Sequence, residues 1–255
     1  MEAGESFRCA VLGFTAAEIP AEDSGDGLDI EEVPVPVPLS PGSLRKELDR
    51  SIAVGDPGGD LISVFVPQAV VEEAIDLAER AGEVEVGSVL IGRMHHDAGA
   101  QELFLKITAQ IPARHALSEA ARLSFTAETW EAVQAAIDLR QSSEQQVGWL
   151  HTHPARHWCN KECSAEARER CFLAVPFFSR ADCDFHRICH LNPGHIAMLV
   201  TNSFAGMKVT MYGWDRAIIV QRGFHIIKSD AGGPLPAVAS ASIIGADTHE
   251  TPCHP

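Results

Sequence analysis

The sequence predicts a mixed α/β domain over residues 61–228, and three features carry that expectation. Short β-branched apolar runs alternate with stretches whose apolar residues recur at helical spacing, the pattern of strands interleaved with helices. Apolar residues fill 45% of the 255 positions, enough for one sizeable core. Sequence rich in Gly, Pro and acidic residues falls outside those bounds, at both ends.

The elements follow in order. Residues 61–66 (Leu-Ile-Ser-Val-Phe-Val) read as a strand, and Pro67 suits the first turn of a helix. Val70, Val71, Ala74, Ile75, Leu77 and Ala78 then recur at helical spacing up to Gly82, where the helix stops. Strands are predicted at 85–92, 102–111 and 122–126. Thr126 and Thr129 offer caps for a helix reaching Arg140 through Trp130, Val133, Ala136 and Ile137. A strand at 146–151, a short helix from Ser179 and strands at 195–201, 207–214 and 217–221 complete the domain.

The flanks read differently. Residues 1–60 are expected to be largely flexible: 22–27 are acidic and glycine-rich, and the Val-Pro repeat at 33–38 favours an extended path. A short helix at 43–52 and a turn-rich boundary at 56–60 interrupt that expectation. From residue 229 onward Gly, Pro, Ala and Ser predict a mobile tail.

Composition excludes several function classes. A net charge of −15 argues against nucleic acid as a partner. No apolar run approaches the roughly 18–20 residues that span a bilayer, and the acidic start Met1-Glu2-Ala3-Gly4-Glu5 lacks a secretory signal's basic region, so a cytoplasmic protein with no membrane partner is expected.

The chemistry centres on Trp149-Leu150-His151-Thr152-His153-Pro154. Side chains at i and i+2 of a strand leave the same face, so His151 and His153 can address one metal ion, and Pro154 ends the strand beside a cleft. A catalytic zinc usually takes three protein ligands and keeps one position open. Ser179-x-x-Asp182 reads first as a helix start, with Ser179 as N-cap and Asp182 in the first turn, and a helix start can also aim Asp182 into a cleft. Glu83 and Glu85 are the nearby candidates for a proton acceptor.

Together Glu85-x-Gly87-x-x-Leu90-x-Gly92, His151-x-His153-Pro154 and Ser179-x-x-Asp182 resemble the JAMM motif of MPN-domain metalloproteases, over about residues 61–225. The resemblance implies the MPN fold, a mixed curved β-sheet flanked by helices. It implies that His151, His153 and Asp182 bind a catalytic Zn²⁺, that Glu85 rather than Glu83 is the general base, and that Ser179 donates to the oxyanion. It further implies hydrolysis of an isopeptide or peptide bond after the Gly-Gly tail of a ubiquitin-like protein. Such an enzyme would work beside E1-like and E2-like enzymes in a prokaryotic-type system, by deconjugation or precursor maturation. Processing of a sulfur-carrier protein or small peptide is the alternative, and an inactive MPN scaffold the non-enzymatic one.

The chain departs from the family between Pro154 and Ser179, where 155–178 form a long insert. Cys159, Cys163, Cys171, Cys183 and Cys189 all fall between residues 159 and 189. In one reading Cys159, Cys163, Cys171 and Cys189 hold a second, structural zinc that orders the insert. In others the cysteines are buried small side chains or redox-active thiols. The insert should lie beside the cleft, because it joins the two halves of the zinc site.

Overall fold

The computed structural model describes residues 38–229, apart from 59–60, 115, 120–121, 141, 160–162, 170, 172 and 174, and apart from the side chains of 117–119, 122, 165 and 169. The expected flexibility of residues 1–37 and of the tail from 230 lies outside the described residues.

The first described elements are β1 (Leu39–Pro41), α1 (Leu44–Asp49) and β2 (Ser51–Val54), followed by β3 (Ser63–Pro67) and α2 (Gln68–Ala81). Two long strands, β4 (Gly87–Asp97) and β5 (Glu102–Pro112), lead to a small hairpin of β6 (Leu117–Glu119) and β7 (Arg122–Ser124). After α3 (Ala127–Leu139) comes β8 (Gln145–His153). The insert contains two short helices, α4 (Ala155–Trp158) and α5 (Ala165–Glu169). The chain then forms α6 (Arg180–Cys189), β9 (Ile196–Ser203), β10 (Gly206–Asp215), β11 (Ile218–Arg222) and β12 (Phe224–Ile227).

All of these strands except the β6–β7 hairpin build one mixed sheet, with β1 beside β4 and the others in the order β11-β10-β9-β8-β4-β5-β3-β12-β2. β4 lies antiparallel to both β5 and β8, whereas β8 and β9 are parallel. β1 pairs with Met94–His96 of β4, beyond the last residue that β4 shares with β8. The chain thus adopts the expected fold class, a mixed curved β-sheet flanked by helices.

Period-2 alternation along the strands sorts side chains onto two faces. Leu90, Leu105, Leu150, Met198 and Val200 are fully buried in one cluster with Val70, Val71, Ala74 and Ala78 of α2. On the other face Val89 and Ile91 pack with Val133 and Ile137 of α3, and Trp149, Ala197, Leu199 and Tyr212 form a further cluster with Phe178 and Phe185. That second face carries the histidine pair, because His151 and His153 share parity with Trp149. Among the described residues no helix is long and apolar enough to cross a membrane.

Two glycines permit the close strand approach that this arrangement needs. A Cβ on Gly148 would collide with the carbonyl oxygen of Ile196, its partner on β9. A Cβ on Gly87 would sit 2.7 Å from the carbonyl oxygen of Leu150 and 2.5 Å from Leu123 Cδ2. Gly148 lies on the strand that delivers the histidines, and Gly87 lies on its neighbour opposite His151.

The expected domain boundary at residue 61 falls too late. β2 pairs antiparallel with β12, with Ile52 opposite Ile226, so residues from β1 onward belong to the sheet. The helix predicted at 43–52 ends at Asp49, and Ser51 already starts a strand. Asp97 holds α1 against β4 by accepting from the Leu44 backbone N–H at 2.7 Å. β12, which lies parallel to β3, had no counterpart among the three predicted closing strands.

Replacing Gly148 by Ala should overpack the β8–β9 contact. We expect a loss of about 1–3 kcal/mol, typical of small-to-large changes in a filled interior, measured by urea denaturation. Unchanged stability would mean that the two strands are not held so closely.

Candidate metal centre

Three side chains from two elements converge at the end of β8. His151 and His153 leave the same face, and both rings are buried. Their Nε2 atoms are 3.1 Å apart. Asp182, from the first turn of α6, places Oδ1 3.2 Å from His151 Nε2 and Oδ2 3.5 Å from His153 Nε2. A tetrahedral zinc with bonds of 2.0–2.2 Å needs ligand atoms about 3.3 Å apart. The three separations bracket that value, so the residues fit a zinc ion. Among the described residues this is the group of His, Cys, Asp or Glu side chains whose ligand atoms come together in this way.

The α6 start orients the carboxylate. Ser179 is the N-cap, its Oγ accepting from the Asp182 backbone N–H at 3.1 Å. Asp182 Oδ2 returns the contact by accepting from the Ser179 backbone N–H at 2.7 Å. This capping box satisfies two backbone donors that helix geometry would leave open. It also turns Asp182 Oδ1 toward His151. The helix-start reading of Ser179-x-x-Asp182 and the ligand reading therefore describe one geometry.

Electrostatics agree with a cation site. Burial alone would raise the Asp182 carboxyl, yet His151 and His153 hold it well below the usual carboxylate range. Burial pushes His153 below the usual imidazole range, which favours the neutral ring a metal requires.

Glu85 enters through strand pairing. Gly87 lies opposite His151, and Thr152 donates its backbone N–H to the Val86 carbonyl at 2.9 Å while its Oγ1 accepts from the Val86 N–H at 3.1 Å. The next step along this register sets Glu85 across from His153, with Oε1 3.8 Å from Nε2. Burial raises Glu85 to about 7, with His151 drawing it down and Asp182 pushing it further up. Glu83 has a different role: its side chain is 77% exposed and sits 3.4 Å from His157 Nδ1.

A cleft of about 460 Å³ opens over these groups and is lined by Glu85, His153, Ser179 and Asp182. The insert supplies part of its wall. Trp158 and Phe177 pack on His153 with ring centroids at 4.9 and 5.0 Å. The insert therefore lies beside the cleft, as its place in the chain implied.

Cys159, Cys163, Cys171 and Cys189 are all described, and they are not gathered as a ligand group among the described residues. Cys189 lies at the far end of α6 from Asp182, about 10 Å along the axis, whereas Cys159 directly follows Trp158 beside His153. Cation–π contacts also tie the insert to the sheet. Arg156 of α4 and Arg168 of α5 both approach the Phe204 ring, at 5.8 and 5.0 Å, tying both helices to the β9–β10 turn. Burial raises the Cys183 and Cys189 thiols, which disfavours the reactive thiolate.

A group of histidines completes the surroundings of the centre. His186, His190 and His195 lie behind the centre, next to Trp149 and Trp214. His186 and His190 stand four residues apart at the end of α6.

Residues 61–167 match the family model of the JAB1/Mov34/MPN/PAD-1 ubiquitin protease. The match spans Glu85, His151 and His153 and ends before Ser179 and Asp182, which the fold brings to the same place. Match and triad together support an MPN/JAMM-type domain. The solution structure of protein DSY2949 from Desulfitobacterium hafniense is similar at 16% identity, over 65% of this chain and 92% of that one, with a TM-score of 0.42. No curated protein matches the chain.

Purified protein should hold close to one zinc per chain by elemental analysis, and Asp182→Ala should hold almost none. Cys159→Ser and Cys171→Ser should leave the content unchanged. A content near two, falling to one in the cysteine variants, would establish the second site.

Proposed function

We propose that this protein is a zinc-dependent peptidase or isopeptidase that cuts after the extended C-terminal tail of a ubiquitin-like modifier. The observation that carries the reading is the convergence of His151, His153 and Asp182 with Glu85 beside His153. The domain match and the triad support a JAMM/MPN-type hydrolytic function, and the tail substrate is inferred from the family resemblance.

Zinc held by His151, His153 and Asp182 would polarise the scissile carbonyl and make water acidic enough to attack near neutral pH. The protein's own groups do the remainder. Glu85, raised to about 7 by burial, is suited to take the proton of the attacking water and return it to the leaving amine. Ser179 Oγ already accepts the Asp182 N–H, so its own hydroxyl proton is left to donate toward charge developing in the cleft. No step needs a covalent intermediate, and no cysteine is required as nucleophile.

The substrate's tail would enter extended, since glycines pass between the aromatic walls where side chains would not. E1-like and E2-like enzymes are the partners such a modifier system would require. An inactive scaffold is disfavoured by the electrostatics, because two buried imidazoles facing a buried carboxylate serve no evident packing need.

The test is cleavage of modifier fusions ending in Gly-Gly against short peptides of the same terminal sequence. Preference for the folded modifier supports the reading, whereas equal cleavage of the short peptides would favour the small-substrate alternative. Glu85→Gln should keep zinc and lose about 10²–10⁴ in kcat. Ser179→Ala should lose about 10²–10³ in kcat, and its missing cap should cost about 1 kcal/mol of stability. Glu85 works only when ionised, so wild-type activity should decline on acidification below about pH 7, with a bound cation drawing that decline to lower pH. Full activity of Glu85→Gln would place the base elsewhere.

A further inference from the structure

Metal-binding histidines usually have their second ring nitrogen fixed by a hydrogen bond, which sets the ring's tautomer and tilt. His151 has no such bond: among the described residues its Nδ1 is buried and finds no partner. Its ring is held by stacking. The Trp149 indole lies against it with centroids 4.4 Å apart and planes only 12° from parallel. The orientation of Trp149 therefore bears directly on the ligand.

Trp149 is itself fixed by one polar contact. Its Nε1–H donates to His186 Nδ1 at 3.1 Å, and both side chains are buried. An indole nitrogen can only donate, so Nδ1 of His186 must carry a lone pair. A neutral His186 then bears its proton on Nε2. This tautomer also decides against a second metal site on α6. His186 and His190 have the four-residue spacing of a ligand pair, but the protonated Nε2 of His186 offers no lone pair, and Nδ1 is already engaged.

The surroundings keep His186 neutral. Its ring faces Trp149, Phe178, Trp214 and His190, none of them a carboxylate. His190 is fully buried with both ring nitrogens lacking a partner among the described residues, and His195 Nδ1 likewise. Burial first, and nearby His195 after it, lower His186 to about 4, so the ring is uncharged across the neutral range. Trp214 closes the group from outside by donating its Nε1–H to the His190 carbonyl at 2.8 Å.

We infer that His186 is a positioning residue for the metal centre: by accepting the Trp149 indole N–H it sets the aromatic plane on which the ligand His151 rests. The role extends the zinc reading above and rests on it. Phe185 packs edge-on against Trp149 at 4.5 Å and restrains the indole sideways. The His186 contact is what fixes its rotation in the ring plane. Its geometry is that of an outer support acting through one intervening ring.

The inference is tested by zinc affinity, read by competition with a chromophoric chelator, with the melting temperature of each protein recorded alongside. His186→Leu should weaken zinc about tenfold, the lower end of the range for outer supports of a metal ligand. His186→Asn offers an amide oxygen where Nδ1 stood and should restore affinity to within about threefold of wild type. Trp149→Phe should weaken zinc to a similar degree, and in that background His186→Leu should cost less than about twofold, because the interaction it removes is already gone. Nitrogen NMR should find His186 protonated at Nε2 alone. Wild-type affinity in folded His186→Leu would overturn the inference, as would an undiminished effect of His186→Leu on top of Trp149→Phe. If His186→Leu does not fold, the Trp149→Phe and His186→Asn affinities decide alone. A wild-type protein that takes up no zinc would sink the metal reading itself, and the positioning role with it.

Discussion

The register of β4 against β8 is the constraint on which the centre depends. Gly87 faces His151, and the paired hydrogen bonds between Val86 and Thr152 lock that alignment at the strand's end. A one-residue slip would send His151 and His153 to the opposite face, into the cluster that packs against α2. It would also carry Glu85 away from His153. Gly87 lets β4 sit close enough to β8 for this register, and Gly148 does the same for β9 against β8, since a side chain at either would meet a neighbouring carbonyl. Sequence, strand spacing and ligand geometry are linked at these positions.

The other half of the centre is built by local structure. The hydrogen bonds that start α6 also aim Asp182, so one pair of contacts serves the helix and the site. The carboxylate's charge is then stabilised by the two histidines against the cost of its burial. Glu85 has the opposite balance, with burial dominating, and rises to about 7. Two acidic side chains within one cleft thus differ in protonation behaviour because their partners differ, which is the condition for one to bind a cation and the other to shuttle a proton.

How much of this was legible in the sequence depended on the range of the interactions. His151 and His153 were readable from a two-residue period, and the Ser179 cap from a three-residue spacing, because both are local. Glu85 was assigned through the spacing to Gly87 and Gly92, and the structure gives that spacing a cause in strand contact. β1, β2 and β12 were missed. Each has three or four residues, too short for a clear period, and each gains its stability from pairing with distant strands. The insert shows the same limit: Phe204, from a turn far along the chain, meets Arg156 and Arg168 of its two short helices. Nothing local marks that contact. The stacked histidines behind Trp149 were likewise invisible as a group, because His195 joins them only through the fold.

The central claim is that zinc is held here by two imidazoles and a carboxylate and by no sulfur. X-ray absorption at the zinc edge of the loaded protein measures the ligand atoms directly. The structure predicts nitrogen and oxygen neighbours at about 2.0–2.2 Å with the scattering signature of two imidazole rings. Sulfur at about 2.3 Å would show that cysteines of the insert bind the metal, and would contradict the assignment of His151, His153 and Asp182.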